Sequence, residues 1–123
     1  MRKPRSLLLI EDDRLLGSLY RQLLFEAGYE ITWSENAHQA LAELERQHFD
    51  VILMDVMLPE MSGIELLDKL TDCPVIALTN LDQSKVREEL TRKGVIGVVI
   101  KSDHTPDTFL STVAGFVTQL GAT

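Results

Sequence analysis

Five times along this chain a short apolar or alternating stretch is followed by a segment of helical period, and this alternation restricts the fold more than any other feature. The runs Leu7–Ile10, Val51–Met54, Val75–Leu78 and Val95–Ile100 are too short for helices. β-Branched residues recur in them, and their unbroken apolarity predicts strands buried on both faces. Tyr29–Ser34 alternates instead, with Ile31 and Trp33 flanking Thr32, as an edge strand does.

Between these stretches, Leu16, Leu19, Tyr20, Leu23, Leu24 and Ala27 recur on one helical face, and Gly28 is placed to stop that helix. Ala37, Ala40, Leu41 and Leu44 make a second stripe, and Ile64, Leu67 and Leu70 a shorter third. Ser84–Lys93 is charged and striped only by Val86 and Leu90, so its helix is predicted to be the most exposed, ending at Gly94. Phe109, Val113, Phe116, Val117 and Leu120 mark the last helix. Thr105-Pro106-Asp107 opens it with a capping hydroxyl, a proline in the first turn and an acid facing the helix dipole. Five β-α units with short connections and right-handed crossovers give an α/β sandwich, a parallel sheet covered on both sides. At 123 residues the chain suits one such domain, expected to span 1–123.

Charge and motif content exclude several functions. A net charge of −7 argues against direct nucleic acid binding. The basic start (Arg2, Lys3, Arg5) precedes only four apolar residues, Leu7 to Ile10, whereas a signal peptide needs about 7 or more and a membrane span about 20. With one cysteine, Cys73, there is no internal disulfide, which fits a cytoplasmic location; the thiol reads as a small core or loop residue. No Gly-rich phosphate loop is present. His38, His48 and His104 lack metal-ligand spacing and read as surface residues, the Lys85–Lys93 charge run as a solvated face, and Phe109 and Phe116 as core packing.

The polar residues that end the apolar runs are more specific. Leu7–Ile10 is followed by Glu11, Asp12 and Asp13, Val51–Met54 by Asp55, Val75–Leu78 by Thr79, and Val95–Ile100 by Lys101. All sit at carboxyl ends of parallel strands, where open α/β sheets bind ligands. Glu11, Asp12 and Asp55 resist ionising together unless a cation joins them. Mg²⁺ suits such a set because it takes oxygen ligands, keeps waters and binds one or two carboxylates together with phosphate oxygens. Phosphoryl transfer to a carboxylate needs its developing charge neutralised, which the metal, the Lys101 ammonium and the Thr79 hydroxyl could supply. Asp13 is placed to cap the first helix rather than to be a third ligand.

With Leu-Leu-Ile-Glu-Asp-Asp at 8–13, Asp-Val-Ile-Leu-Met-Asp-Val-Met-Leu-Pro-Glu-Met-Ser-Gly at 50–63, Ala-Leu-Thr-Asn at 77–80 and Gly94 through Lys101, the chain resembles the response-regulator receiver domain of two-component signalling over nearly its whole length. The resemblance implies a flavodoxin-like doubly wound (βα)5 fold with a five-stranded parallel sheet ordered 2-1-3-4-5. It also implies Mg²⁺ held by Glu11, Asp12, Asp55 and the backbone carbonyl of Met57. Asp55 would accept the phosphoryl group from a sensor histidine kinase or a phosphotransfer protein, with Thr79 and Lys101 contacting it. Phosphorylation would switch binding of a downstream protein on the face of the fourth helix, fifth strand and fifth helix. Such a protein is no turnover enzyme, although it promotes its own aspartyl phosphorylation and dephosphorylation; a stand-alone type, monomeric or weakly dimeric, is expected. A receiver-like adaptor working without phosphorylation is the alternative, opposed by the intact set Glu11, Asp12, Asp55, Thr79 and Lys101. A Mg²⁺-dependent phosphatase is disfavoured because Met57 stands where its second acid would be.

The chain departs from the family pattern in three ways. Val98 replaces an aromatic whose rotation accompanies the threonine's movement, so coupling to output must run differently or be weaker. Ser102 replaces the proline after the lysine, which predicts either a trans bond with an altered 102–105 loop or a strained cis bond. Val95-Ile96-Gly97 replaces acidic residues, removing support for a salt-bridged dimer and suggesting apolar partner contacts. Met57 and Leu81 border the expected hydrolytic water and are apolar, which predicts a long-lived phosphoryl state.

Overall fold

The computed structural model describes residues 5–70, 72–80 and 84–121. In chain order the elements are β1 (Ser6–Ile10), α1 (Arg14–Glu26), β2 (Glu30–Ser34), α2 (Ala37–Arg46), β3 (Val51–Asp55), α3 (Gly63–Leu67), β4 (Val75–Thr79), α4 (Ser84–Arg92), β5 (Gly97–Ile100) and α5 (Pro106–Gly121). The strands form one parallel sheet in the order β2-β1-β3-β4-β5, the doubly wound arrangement expected. β2, the alternating strand, lies at one edge.

Because side chains alternate across each strand, the runs divide between two cores. Leu7, Leu9, Val51, Leu53, Ile76, Leu78 and Val99 face Tyr20 and Leu24 of α1 and Phe109, Val113 and Val117 of α5. Leu8, Ile10, Ile52, Met54, Val75 and Ala77 face Ala37 and Ala40 of α2, Leu66 and Leu67 of α3, and Leu90 of α4. Tyr20 and Phe109 stack with ring centroids 4.3 Å apart, joining α1 to α5.

The helix stops are where expected. Gly28 and Gly94 take φ of +102° and +91°, a region that penalises residues with a Cβ. Asp13 caps α1, its Oδ1 accepting from the amides of Leu15 and Leu16 at 2.9 and 3.0 Å. Thr105 precedes Pro106 and accepts from the Thr108 amide.

Other expectations are corrected. Leu19 is 43% exposed, because the buried face of α1 centres on Gly17, Tyr20 and Leu24. Helix α3 ends at Leu67, so Leu70 packs from a turn beyond it. β5 starts at Gly97; Val95 and Ile96 precede it and are half-buried against opposite cores rather than forming one apolar patch. Gly63 starts α3, and a Cβ there would lie 2.7 Å from the Val56 Cα. His38 and His48 are exposed as expected and lie within ion-pair distance of Glu60 and Asp50, while His104 is half-buried beside Thr108. Helix α4 buries fully only Leu90. No helix among the described residues is long and apolar enough to cross a membrane.

Candidate functional site

Strand register assembles the site. Asp55, the last residue of β3, pairs with Leu78 of β4, and Thr79, the last residue of β4, pairs with Ile100 of β5. Lys101 follows Ile100 directly, in a single 3-10 turn, Lys101–Asp103. No cis peptide bond occurs among the described residues, so the trans alternative at Ser102 holds. Glu11 and Asp12 follow β1, the interior strand between β2 and β3. Three residues from separate strand ends, Glu11, Asp55 and Lys101, therefore meet at one rim.

Glu11 is fully buried, Asp55 and Thr79 are nearly so, and Asp12 is exposed. The Lys101 ammonium donates to Glu11 Oε1 at 2.5 Å and to Asp55 Oδ2 at 2.7 Å. The Met57 amide donates to Asp55 Oδ1 at 2.8 Å, so both Asp55 oxygens are held. The Asp13 amide donates to Glu11 Oε2 at 3.2 Å. The β3–α3 loop closes on itself through the Gly63 amide, which donates to the Val56 carbonyl at 2.8 Å.

Burial, and then the neighbouring Asp55, push the Glu11 carboxyl up to about 7 against the pull of Lys101. Burial alone would lower Lys101, but its hydrogen bonds to Asp55 and Glu11 outweigh it and hold the ammonium above its usual range. One cation thus serves two buried carboxylates, and a third acid stands at the mouth. Carboxylate oxygens of Glu11, Asp12 and Asp55 lie within 4.8 Å of one another. All three are hard oxygen donors in excess of the local positive charge, a donor set that fits a small divalent cation.

The structure brings Glu11, Asp12, Asp55 and Lys101 together and sets Thr79 on the same rim by register. Met57 contributes its amide to Asp55, while its side chain is 69% exposed. Leu81, expected beside the hydrolytic water, lies outside the described residues. Sequence reasoning did not find Trp33, whose indole reaches the Glu11 carbonyl. A tryptophan on an edge strand and a glycine inside a leucine-rich helix, Gly17, were the available signals.

A family model for the response regulator receiver domain matches residues 7–113. The chain belongs to that family. As a receiver domain it is a signalling protein rather than a substrate-turnover enzyme. It is 36% identical over 121 residues to the polar-differentiation response regulator DivK of Brucella anthropi, a match covering 93% of this receiver and 97% of that protein. Among solved structures it resembles the chemotaxis response regulator CheY4 of Vibrio cholerae, with a TM-score of 0.82 at 26% identity, covering 92% of this chain and 98% of the other. The non-phosphorylated HemR receiver domain of Leptospira biflexa is similar too, at TM-score 0.84 and 25% identity over 94% of both chains.

Proposed function

We propose that this receiver is a phosphorylation switch in which Asp55 accepts a phosphoryl group from the phosphohistidine of a sensor histidine kinase or a phosphotransfer protein. The observation that carries this reading is the buried Lys101 ammonium shared between Asp55 and Glu11, with Asp12 completing the acidic cluster.

Glu11, Asp12, Asp55 and the Met57 backbone carbonyl would hold Mg²⁺. When bound, the ion supplies positive charge toward the phosphoryl oxygens and lets the carboxylates stay ionised together. An Asp55 oxygen attacks phosphorus in line, a P–O bond forms as the P–N bond to the histidine breaks, and the bond's electrons return to the imidazole. Lys101, already 2.7 Å from Asp55, offers its ammonium to the transferred group, and the Thr79 hydroxyl at the neighbouring strand end donates to another oxygen. Asp55 needs no base, since a buried carboxylate held by an ammonium and an amide presents its lone pairs directly.

Phosphorylation would alter binding of a downstream protein on the face of α4, β5 and α5. Val98 there is half-buried against the α2–α4 core and is no aromatic, so no ring rotation at that position carries the change. The test is incubation with acetyl phosphate and Mg²⁺, read by intact-mass spectrometry. Wild type should gain one phosphoryl group and Asp55→Asn none. An adduct that persists in Asp55→Asn, or fails to form in wild type, overturns the reading.

A further inference from the structure

The last two residues of the edge strand hold Glu11 by both of its backbone groups. Ser34 accepts from the Glu11 amide at 3.1 Å, and the Trp33 indole Nε1 donates to the Glu11 carbonyl at 2.8 Å. That carbonyl belongs to the Glu11–Asp12 peptide, so the indole N–H fixes the plane of the peptide from which Asp12 departs. Asp12 is exposed and makes no side-chain hydrogen bond among the described residues, so its own carboxylate does nothing to set its direction.

Trp33 is itself held. It lies opposite Leu9 in the β1–β2 register, and its ring rests on α1 at Gly17. A Cβ at Gly17 would come within 2.2 to 2.6 Å of three ring atoms, so no other residue fits without moving the indole. Glycine weakens a helix interior relative to alanine, and here that cost secures the ring's seat. Downstream, Asp13 bonds Glu11 through its amide and caps α1 through its carboxylate, so the turn is clamped from strand and helix alike.

We propose that Trp33 is a positioning residue for the divalent-cation site. Its N–H presets the Glu11–Asp12 peptide, and its ring, seated on Gly17, keeps that N–H in place. The inference rests on the reading of Glu11, Asp12 and Asp55 as a cation site. Donors that orient ligands without touching the metal commonly tune affinity.

Two replacements at position 33 test it: Trp33→Phe, and incorporation of benzothienylalanine, which exchanges the N–H for sulfur while preserving the bicyclic shape. Mg²⁺ affinity is measured by titration calorimetry on the full chain, and amide exchange at Asp13 is followed in metal-free protein. Both variants should bind Mg²⁺ about three- to tenfold more weakly, as expected for one lost hydrogen bond. Both should also exchange the Asp13 amide faster. The isostere should lower the urea midpoint by no more than one lost hydrogen bond would, and less than Trp33→Phe does, which separates positioning from a packing defect. If Trp33→Phe fails to fold, the isostere decides. Unchanged Mg²⁺ affinity in the isostere overturns the proposal. Absence of saturable Mg²⁺ binding in wild type overturns the cation-site reading and this inference with it, an outcome visible before any variant is made.

Discussion

Lys101 places its ammonium 2.7 Å from the Asp55 carboxylate, and both side chains are almost wholly removed from solvent. Breaking a buried pair by deleting one partner leaves an uncompensated charge. Here it leaves Asp55 facing Glu11, a second buried acid that shared the same ammonium. Lys101→Ala should lower the unfolding free energy of the metal-free protein at pH 8 by about 3 kcal/mol. Urea denaturation measures it, and Mg²⁺ should restore part of the loss. A variant as stable as wild type would show that the cluster imposes no electrostatic demand.

Met57 exposes its side chain while its amide holds Asp55, so the residue two places after the acceptor brings no side-chain group suited to orienting water. Given phosphorylation at Asp55, Met57→Asn should shorten the phosphoryl lifetime on the order of tenfold by positioning the attacking water, while Met57→Leu leaves it near wild type. Loss of the adduct with time, followed by intact mass, checks this. Equal lifetimes for all three proteins would count against Met57 as the determinant.

Asp13 accepts from two amides at the start of α1, which assigns it to the helix rather than to the acidic cluster. Asp13→Ala should cost about 1 kcal/mol, whereas Asp13→Asn or Asp13→Ser, which also cap, should cost a few tenths. Mg²⁺ affinity should be the same in Asp13→Asn as in wild type. A large drop in that affinity would make Asp13 a ligand after all.

Cys73 is half-buried, its Sγ 3.4 Å from the Phe49 carbonyl. Burial, and then Asp50, push the thiol up to about 11. The folded state therefore holds the proton more tightly than the unfolded chain. Its contribution to stability is complete below the unfolded pKa and is lost as pH rises toward 11. At pH 8 the thiolate fraction should be about a hundredfold below that of an exposed cysteine, and iodoacetamide should label the native protein correspondingly slowly. Rapid labelling at pH 8, matching the urea-unfolded chain, would contradict this.

Residues that decide local conformation announced themselves in order. The apolar runs became β1, β3, β4 and, from Gly97 on, β5, because an unbroken apolar stretch of strand length suits a strand buried on both faces. Gly28, Gly94, Asp13 and Thr105 act within a turn of where they stand, so their roles follow from neighbouring residues alone. The candidate site was legible for a related reason. Parallel strands point the same way, so whatever follows each run arrives at one edge of the sheet. Glu11, Asp12, Asp55, Thr79 and Lys101 were named without distances.

Tertiary structure decided what joins those residues. Glu11 and Lys101 are 90 positions apart, and only the sheet order with its crossovers brings the ammonium onto both Glu11 and Asp55. The Trp33 indole on the Glu11 carbonyl, its seat on Gly17, and the approach of Gly63 to Val56 depend on how elements distant in sequence pack, which no periodicity encodes. Val95 and Ile96 read alike as sequence, yet the sheet sends them into opposite cores. By itself the sequence determined the order of strands and helices, the helix ends marked by Asp13, Gly28, Gly94 and Thr105, and the edge at which the polar residues gather, because those depend on local backbone preference and burial. Which charge meets which, and what holds the acidic turn in place, had to wait for the fold, because those depend on distances between elements.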